Sequence, residues 1–182
     1  MVRRPVVLHR AMTRRERLKM NEHNPRSTAK VAGHPLHPMI VPFPIAFLVS
    51  ALATDIGYLN TGDAGWAQTS MWLLGAGVSM ALLAAVLGLT DFLSERRIRA
   101  HRAAWLHMIG NVVAVAVAAV NFYLRASTDE VAAIAPAGVT LSAAVVLILL
   151  FTGWMGWELV YRHHTGIEED HEQAAAPVRS DR

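Results

Sequence analysis

His34 and His37 stand three residues apart, each followed by proline, at the start of a long apolar stretch. A third histidine, His107, lies inside another apolar stretch, where an imidazole facing lipid would be costly. Neutral imidazole binds iron, copper or zinc, and it transfers protons near neutral pH. These three side chains are therefore the first candidates for a binding site, and the elements that carry them decide whether they can meet.

The composition indicates a membrane protein. Hydrophobic residues make up 53% of the 182-residue chain and charged residues 17%, whereas soluble domains carry about 25% charged residues. The charges are also segregated, since residues 1–30 hold nine of the seventeen Lys and Arg. No aromatic residues interleave with these basic residues as they do in nucleic-acid-binding segments, so we expect no nucleic-acid partner.

Four apolar stretches are long enough to cross a bilayer, which takes about 20 helical residues. Short polar connections join them, so consecutive helices must run antiparallel. The sequence therefore predicts an all-α, integral membrane, four-helix up-down bundle in a domain covering residues 34–166. A basic N-terminal tail (1–33) and a C-terminal tail (167–182) are expected to be disordered. The predicted spans are about 39–59, 68–93, 103–124 and 134–157.

The distribution of positive charge predicts the orientation of the bundle. The side that carries both termini and the second loop holds sixteen Lys and Arg, whereas the other side holds only Arg125, in a polar loop. Cytoplasmic segments beside membrane spans carry the excess of Lys and Arg. Both termini are therefore expected in the cytoplasm, with the lipid bilayer as the first partner of the chain.

Helical phase places the polar residues of two spans on inward faces. At 100° per residue, the face that begins at His37 leads to Asp55, and the face that begins at His107 leads through Asn111 to Asn121. The opposite side of the third span is β-branched and is expected to face lipid. We expect Asp55 to pair with Asn121 or with a loop donor as a structural link between helices.

Most other polar residues of the bundle collect at its cytoplasmic end. The candidate cofactor-binding residues are His34, His37, His107, His163 and Asn111, with His37 and His107 as candidate metal ligands, and the supporting polar cluster is Asp91, Glu158, Tyr161 and Arg162.

Three kinds of ligand are compatible with such a cluster. Two histidines on facing helices are typical axial ligands of haem b, either His37 with His107 or His107 with His163 or His164. A metal-ion site built from His34, His37, His107 and Glu158, and a quinone pocket at the cytoplasmic rim, remain open alternatives.

Several classes of site are excluded by residues the chain lacks. It contains no cysteine, which excludes disulfides, thiolate zinc sites, thiolate-held iron–sulfur clusters and covalent c-type haem attachment. It also contains no nucleophile elbow, Walker loop or HExxH motif. We therefore expect no catalytic activity of its own.

Four quoted segments carry a resemblance to a known family: "GHPLHPMIVPFPIAFLVSALATD", "GLTDFL", "AHRAAWLHMIGNVVA" and "GWMGWELVYRHHTGI". In order and content they resemble a bacterial family of predicted four-helix membrane proteins catalogued as domain of unknown function twenty-two thirty-one. The resemblance covers roughly residues 32–167. The chain departs from many relatives at Pro42, where they carry a histidine, and the resemblance implies one histidine fewer here.

The resemblance also implies a location and a setting. It implies the bacterial inner (cytoplasmic) membrane, and similar segments occur fused to or beside Rieske-type and cytochrome c-type redox modules. We therefore predict a haem-b-binding electron-transfer component that works with a redox protein or membrane complex, and a homo-oligomer is left open. The alternatives are a metal-ion- or quinone-binding accessory subunit and a non-catalytic membrane scaffold.

Overall fold

The computed structural model describes Pro25, residues 27–129 and residues 131–167. Residues 1–24 and 168–182, which hold most of the two predicted tails, lie outside the described residues, so their predicted disorder stays a prediction. Four helices are long and apolar enough to cross a membrane, which confirms the predicted all-α, four-helix membrane fold. We call them spans one to four: Leu36–Thr61, Ala64–Ser94, Arg102–Ser127 and Ile134–Arg162.

Spans one and four are not uniform helices. Span one is a short helix, Leu36–Ile40, followed by a longer one, Pro42–Thr61. The helix is interrupted there because Pro42 and Pro44 have no backbone N–H to donate. Span four is an α-helix, Val139–Trp157, that ends in a π-helical turn, Glu158–Arg162. Its first residues, Ile134–Gly138, form a kink, because the backbone of Ala135 is extended (φ −113°, ψ 132°).

Short elements complete the described chain. A two-stranded antiparallel hairpin, β1 (Lys30–Val31) and β2 (His34–Pro35), leads into span one. Its two-residue turn has positive φ at Ala32 (48°) and Gly33 (82°), the backbone combination that joins tightly paired strands. A four-residue helix, Arg96–Arg99, links spans two and three.

Each span packs against the next one in the chain, and span four packs back against span one. The bundle is therefore up-down, as predicted, and spans one and three lie diagonally across its axis, as do spans two and four. We call the end where span one begins and span four ends the termini end, and the other the loop end.

Burial follows the predicted helical faces. Along span one the face below His37 is buried, and the β-branched side of span three is exposed, as expected for a surface that meets lipid. The centre of the bundle is filled by small and aliphatic side chains because helices in lipid approach closely over small residues. The central cluster is Leu48, Ala51, Leu74, Ala118 and Val145.

A buried ion pair joins the spans near the loop end. Two guanidinium nitrogens of Arg125 donate to the two carboxylate oxygens of Asp55 at 2.8 Å each, and both side chains are fully buried. Ser70 and Ser142 donate to the same carboxylate at 2.6 and 2.7 Å, and the Arg125 Nε donates to Asn121 Oδ1 at 3.0 Å. Every span therefore supplies at least one member of this network.

The assignment of Arg125 to an outer loop is wrong. The residue lies in the last turns of span three and is 2% exposed. The prediction that Asp55 pairs with Asn121 or with a loop donor did not name Arg125, which bonds to both Asp55 and Asn121. The helix continues past position 124 because a guanidinium at this depth needs an anion, and Asp55 on the diagonal span supplies one.

Substitutions in this pair should destabilise the bundle unequally. Arg125→Ala leaves the Asp55 carboxylate buried without its cation and should lower the free energy of unfolding by about 3–5 kcal/mol. The double substitution Asp55→Ala, Arg125→Ala removes the orphaned charge and should cost less than the two single substitutions summed. Unfolding in detergent, followed by circular dichroism, measures this. Arg97→Ala, at an exposed arginine, is the control, and an unchanged stability of Arg125→Ala would contradict the assignment.

Candidate functional site

His37 and His107 meet across the axis of the bundle. Their ring centroids lie 6.3 Å apart and their planes are nearly perpendicular, at 88°. His37 comes from span one and His107 from span three, so the contact is between diagonal helices near the termini end. Both side chains are partly buried. This pair is the part of the predicted site that the structure brings together.

Span two holds the imidazole of His37. Its Nδ1 lies 2.9 Å from the carbonyl oxygen of Ala84. A carbonyl can only accept a hydrogen bond, so Nδ1 carries the proton in the neutral ring and Nε2 carries the lone pair. The ring fills the space over Gly88, where an added Cβ would lie 2.8 Å from the His37 Cε1.

Span four holds His107 in the same way. The His107 Nδ1 lies 2.8 Å from the carbonyl oxygen of Thr152, and an added Cβ at Gly156 would lie 3.1 Å from the ring. As at Ala84 and Gly88, the carbonyl and the glycine are four residues apart, so one helical turn presents both. The Nε2 of His107, like that of His37, therefore keeps its lone pair as an acceptor.

The two diagonal spans repeat a spacing as well as a contact. Asp55 follows His37 by eighteen residues, and Arg125 follows His107 by the same number. Eighteen residues are five helical turns, so each histidine shares a face with its charged residue, about 27 Å along the helix. Spans one and three consequently meet at two levels, through the imidazoles near the termini end and through the ion pair near the loop end.

Asn111 and Thr152 support His107 from behind. The Asn111 Nδ2 donates to the carbonyl oxygen of His107 at 2.7 Å, and the Thr152 Oγ1 donates to Asn111 Oδ1 at 3.3 Å. Gly110 leaves room for the Thr152 methyl group, which a side chain at that position would overlap. Asn111 therefore orients the helix turn that carries His107, and its amide makes these bonds within the bundle.

Asp91, predicted to support the histidines, instead bonds to the segment before the hairpin. Its carboxylate accepts hydrogen bonds from Ser27, Thr28 and Ala29, the segment before the hairpin, at 2.7 to 3.1 Å. Sequence analysis assigns these three residues to the N-terminal tail, and their ordered contacts here come from one buried carboxylate that needs donors.

Glu158, Arg162 and His163 form a separate rim cluster on span four. Glu158 Oε1 lies 3.4 Å from Arg162 and 3.9 Å from the His163 Nε2. The His163 ring stacks on that of His101, with centroids 3.8 Å apart. Burial, and secondarily repulsion from His163, lower the pKa of His101. The members of this cluster contact one another at the surface of the bundle, and the Glu158 carboxylate points towards Arg162 and His163.

Tyr161 and His34 lie at exposed positions. Tyr161 is 64% exposed and its ring contacts that of Trp157, with centroids 5.6 Å apart, as aromatic residues do at a membrane interface. His34 is exposed in β2, and its Nδ1 lies 3.0 Å from the carbonyl oxygen of Ala32. The four residues considered for a metal-ion site, His34, His37, His107 and Glu158, thus fall in three places.

Sequence reasoning missed the groups that hold the histidines. The carbonyl oxygens of Ala84 and Thr152 carry no side-chain signature, so no pattern could identify them. Gly88 and Gly156 are small residues on helix faces. That each lies under a histidine of another span depends on the register between spans, which the sequence does not show.

The spacing of the two rings is compatible with a metal ion held between them. Two metal–nitrogen bonds of about 2 Å would put the two Nε2 atoms about 4 Å apart, a separation that ring centroids 6.3 Å apart allow. Among the described residues, no group of three or more His, Cys, Asp or Glu could hold a metal ion. Tetrahedral zinc needs three or four protein ligands, so the two histidines by themselves do not complete a zinc site.

One family model matches the chain. It is described as "Predicted membrane protein (DUF2231)" and matches residues 33–169, which include all four spans and the histidine pair. The match confirms the resemblance drawn from the four quoted segments. No curated protein and no solved structure matches the chain.

Alanine at the two site glycines should disturb the histidines to different extents. Gly88→Ala puts a methyl group 2.8 Å from the His37 ring, and the overpacking should cost about 1–3 kcal/mol of unfolding free energy. Gly156→Ala, with 3.1 Å to the His107 ring, should cost less. Gly153→Ala is the matched control, since nothing lies within 4 Å of an added Cβ there. Thermal unfolding in detergent compares the three, and a Gly88→Ala protein as stable as Gly153→Ala would contradict the ring placement.

Proposed function

The chain belongs to the DUF2231 family of predicted membrane proteins, and from that premise we propose that it is a haem-b-binding electron-transfer component of the membrane. The observation that carries the proposal is the approach of His37 and His107, 6.3 Å apart, from diagonal helices. Two imidazoles supplied by facing helices are a donor set that haem b can take.

The surroundings of the two rings support this ligand set. Histidines that bind a metal commonly donate the other ring nitrogen to a carbonyl or carboxylate, which fixes the tautomer and makes the ligating nitrogen more basic. The carbonyl oxygens of Ala84 and Thr152 provide this for His37 and His107 respectively. In both rings the Nε2 lone pair is therefore available to bind a metal.

Each residue around the histidine pair then has a defined role. His37 and His107 would hold the iron. Gly88 and Gly156 allow the rings to lie close to spans two and four, and Asn111 steadies the turn that carries His107. A bound haem b supplies one-electron transfer, with a reduction potential that depends on axial ligands and burial.

We propose that the termini end faces the cytoplasm of a bacterium. Arg96, Arg97, Arg102 and Arg162 are exposed at that end, whereas Arg125 near the loop end is neutralised by Asp55. The burial of Arg125 makes the charge bias between the two sides larger than the sequence suggested. A redox partner would approach the termini end, where the histidine pair lies; that partner and self-association of the chain stay predictions.

Single cysteines can test this orientation because the chain has none of its own. Ala100→Cys and Asn60→Cys place thiols at exposed positions of the termini end and the loop end. A membrane-impermeant maleimide should label Ala100→Cys in inverted inner-membrane vesicles and Asn60→Cys in spheroplasts. The reverse pattern would place the termini outside.

The haem proposal predicts a coloured protein. Protein purified in detergent from haem-replete cells should show a Soret band, and His37→Ala and His107→Ala should each abolish the six-coordinate spectrum. His101→Ala is the control, because His101 stacks on His163 outside the pair and its loss should leave the band unchanged.

A colourless wild-type protein from such cells would overturn the proposal. Elemental analysis of the same sample separates haem iron from bound copper or zinc, and extraction of the sample detects a quinone. Histidine variants that change stability but no ligand signal would mean that the pair only packs helices.

A further inference from the structure

The segment that precedes span one is bonded to span two. Asp91 Oδ1 accepts from the backbone N–H of Thr28 at 2.7 Å and of Ala29 at 2.8 Å, and from the Thr28 hydroxyl at 3.1 Å. The Ser27 hydroxyl donates to Asp91 Oδ2 at 2.9 Å. Hydrogen bonds to a charged acceptor are the stronger kind, and Asp91 is only 9% exposed. Three consecutive residues are thus held by one carboxylate.

The same segment is bonded to the chain that follows span four. The Gly166 N–H donates to the carbonyl oxygen of Pro25 at 2.9 Å. Gly166 also lies beside the segment, since an added Cβ there would lie 3.7 Å from Pro35 Cγ and 3.8 Å from Ser27 Cβ. Pro25 and Ser27 are buried by these contacts.

Between these attachments the segment is closed on itself. Strands β1 and β2 pair Lys30 with Pro35 and Val31 with His34. The N–H of Leu36, the first residue of span one, donates to the carbonyl oxygen of Ala29 at 2.9 Å. We call this unit, Pro25 and residues 27–35, the strap. Because His37 follows the strap by two residues, movement of the strap must also move the start of span one.

One attachment is made to span two and the other to the chain just after span four. Asp91 follows Gly88 by three residues on the same face of span two, so it lies about one turn nearer the termini end than the His37 ring. Gly166 lies ten residues beyond Gly156, which contacts the His107 ring. Spans two and four are diagonal to each other, as spans one and three are. The strap therefore joins span two to the chain just after span four, on the termini side of the two histidines.

We propose that the strap is a lid over the His37–His107 pair, and that Asp91 is its latch. With the latch closed, the strap covers the route from the termini end to the two Nε2 atoms. Release of the four hydrogen bonds at Asp91 frees the strap from span two while Gly166 still holds it beside span four, so the lid swings from one side. This inference rests on the contacts of the strap and applies whether or not the pair binds haem.

Thiol labelling can test the lid, again because the chain has no native cysteine. His37→Cys places a smaller, reactive side chain under the strap and removes one proposed haem ligand, so haem cannot shield it. With the protein in lipid nanodiscs, a small charged methanethiosulfonate reagent should label this cysteine slowly. Adding Asp91→Ala should speed labelling by about tenfold or more, because local opening free energies set such rates.

A cysteine elsewhere in the core distinguishes lid opening from unfolding. Ala118→Cys lies in the centre of the bundle, where Ala118 is 0% exposed, and its labelling should not change when Asp91→Ala is added. The double substitution Ser27→Ala, Thr28→Val removes two donors and leaves Asp91 in place, and it should speed labelling of His37→Cys by a smaller factor.

Two results would overturn the proposal. Equal labelling rates of His37→Cys with and without the latch would mean that the strap does not limit access. The second result is that Asp91→Ala and the Ser27→Ala, Thr28→Val variant both speed labelling of His37→Cys and of Ala118→Cys by the same factor. It would mean that the hydrogen bonds at Asp91 stabilise the whole bundle instead. Neither result depends on the Soret band, so the lid and the haem proposal can fail separately.

Discussion

The buried ion pair between Asp55 and Arg125 constrains the whole bundle. A guanidinium and a carboxylate without exposed surface, in a segment that crosses a membrane, must each find hydrogen-bonding partners inside the protein. Their two-fold contact sets the rotation of spans one and three about their axes. Ser70 and Ser142, which donate to the same carboxylate, set the rotation of spans two and four. One network thus determines which face of every span points inwards.

That rotation carries to the other end of the bundle through helical geometry. His37 and His107 each lie five turns from a member of the ion pair and therefore share its inward face. The meeting of Asp55 and Arg125 therefore also favours the approach of the two imidazoles across the axis. The approach of the histidines is a consequence of a contact about 27 Å away, and the site depends on a network that takes no part in its chemistry.

Small residues decide how the imidazoles are held. Each ring lies over a glycine of the neighbouring span and donates to the carbonyl oxygen one turn earlier, at Ala84 and Thr152. A larger residue at Gly88 or Gly156 would push the ring off that carbonyl and lose control of the tautomer. Among the described residues of the termini end, Asp91 and Glu158 bond to other partners than the pair. Asp91 holds the strap and Glu158 holds the rim cluster, because each carboxylate is satisfied by the nearest donors.

The sequence by itself determined the class of protein, the four spans and the inward faces, because apolar length and a period of 3.6 residues are local properties. It also brought His37 and His107 to inward faces at the same end. Only the tertiary structure decided that Arg125 belongs to the core, that backbone carbonyls select the histidine tautomers, and that Asp91 holds residues 27–29. Those outcomes depend on the rotation and register of one helix against another, which side-chain contacts between distant residues set and which no periodicity within a single span records.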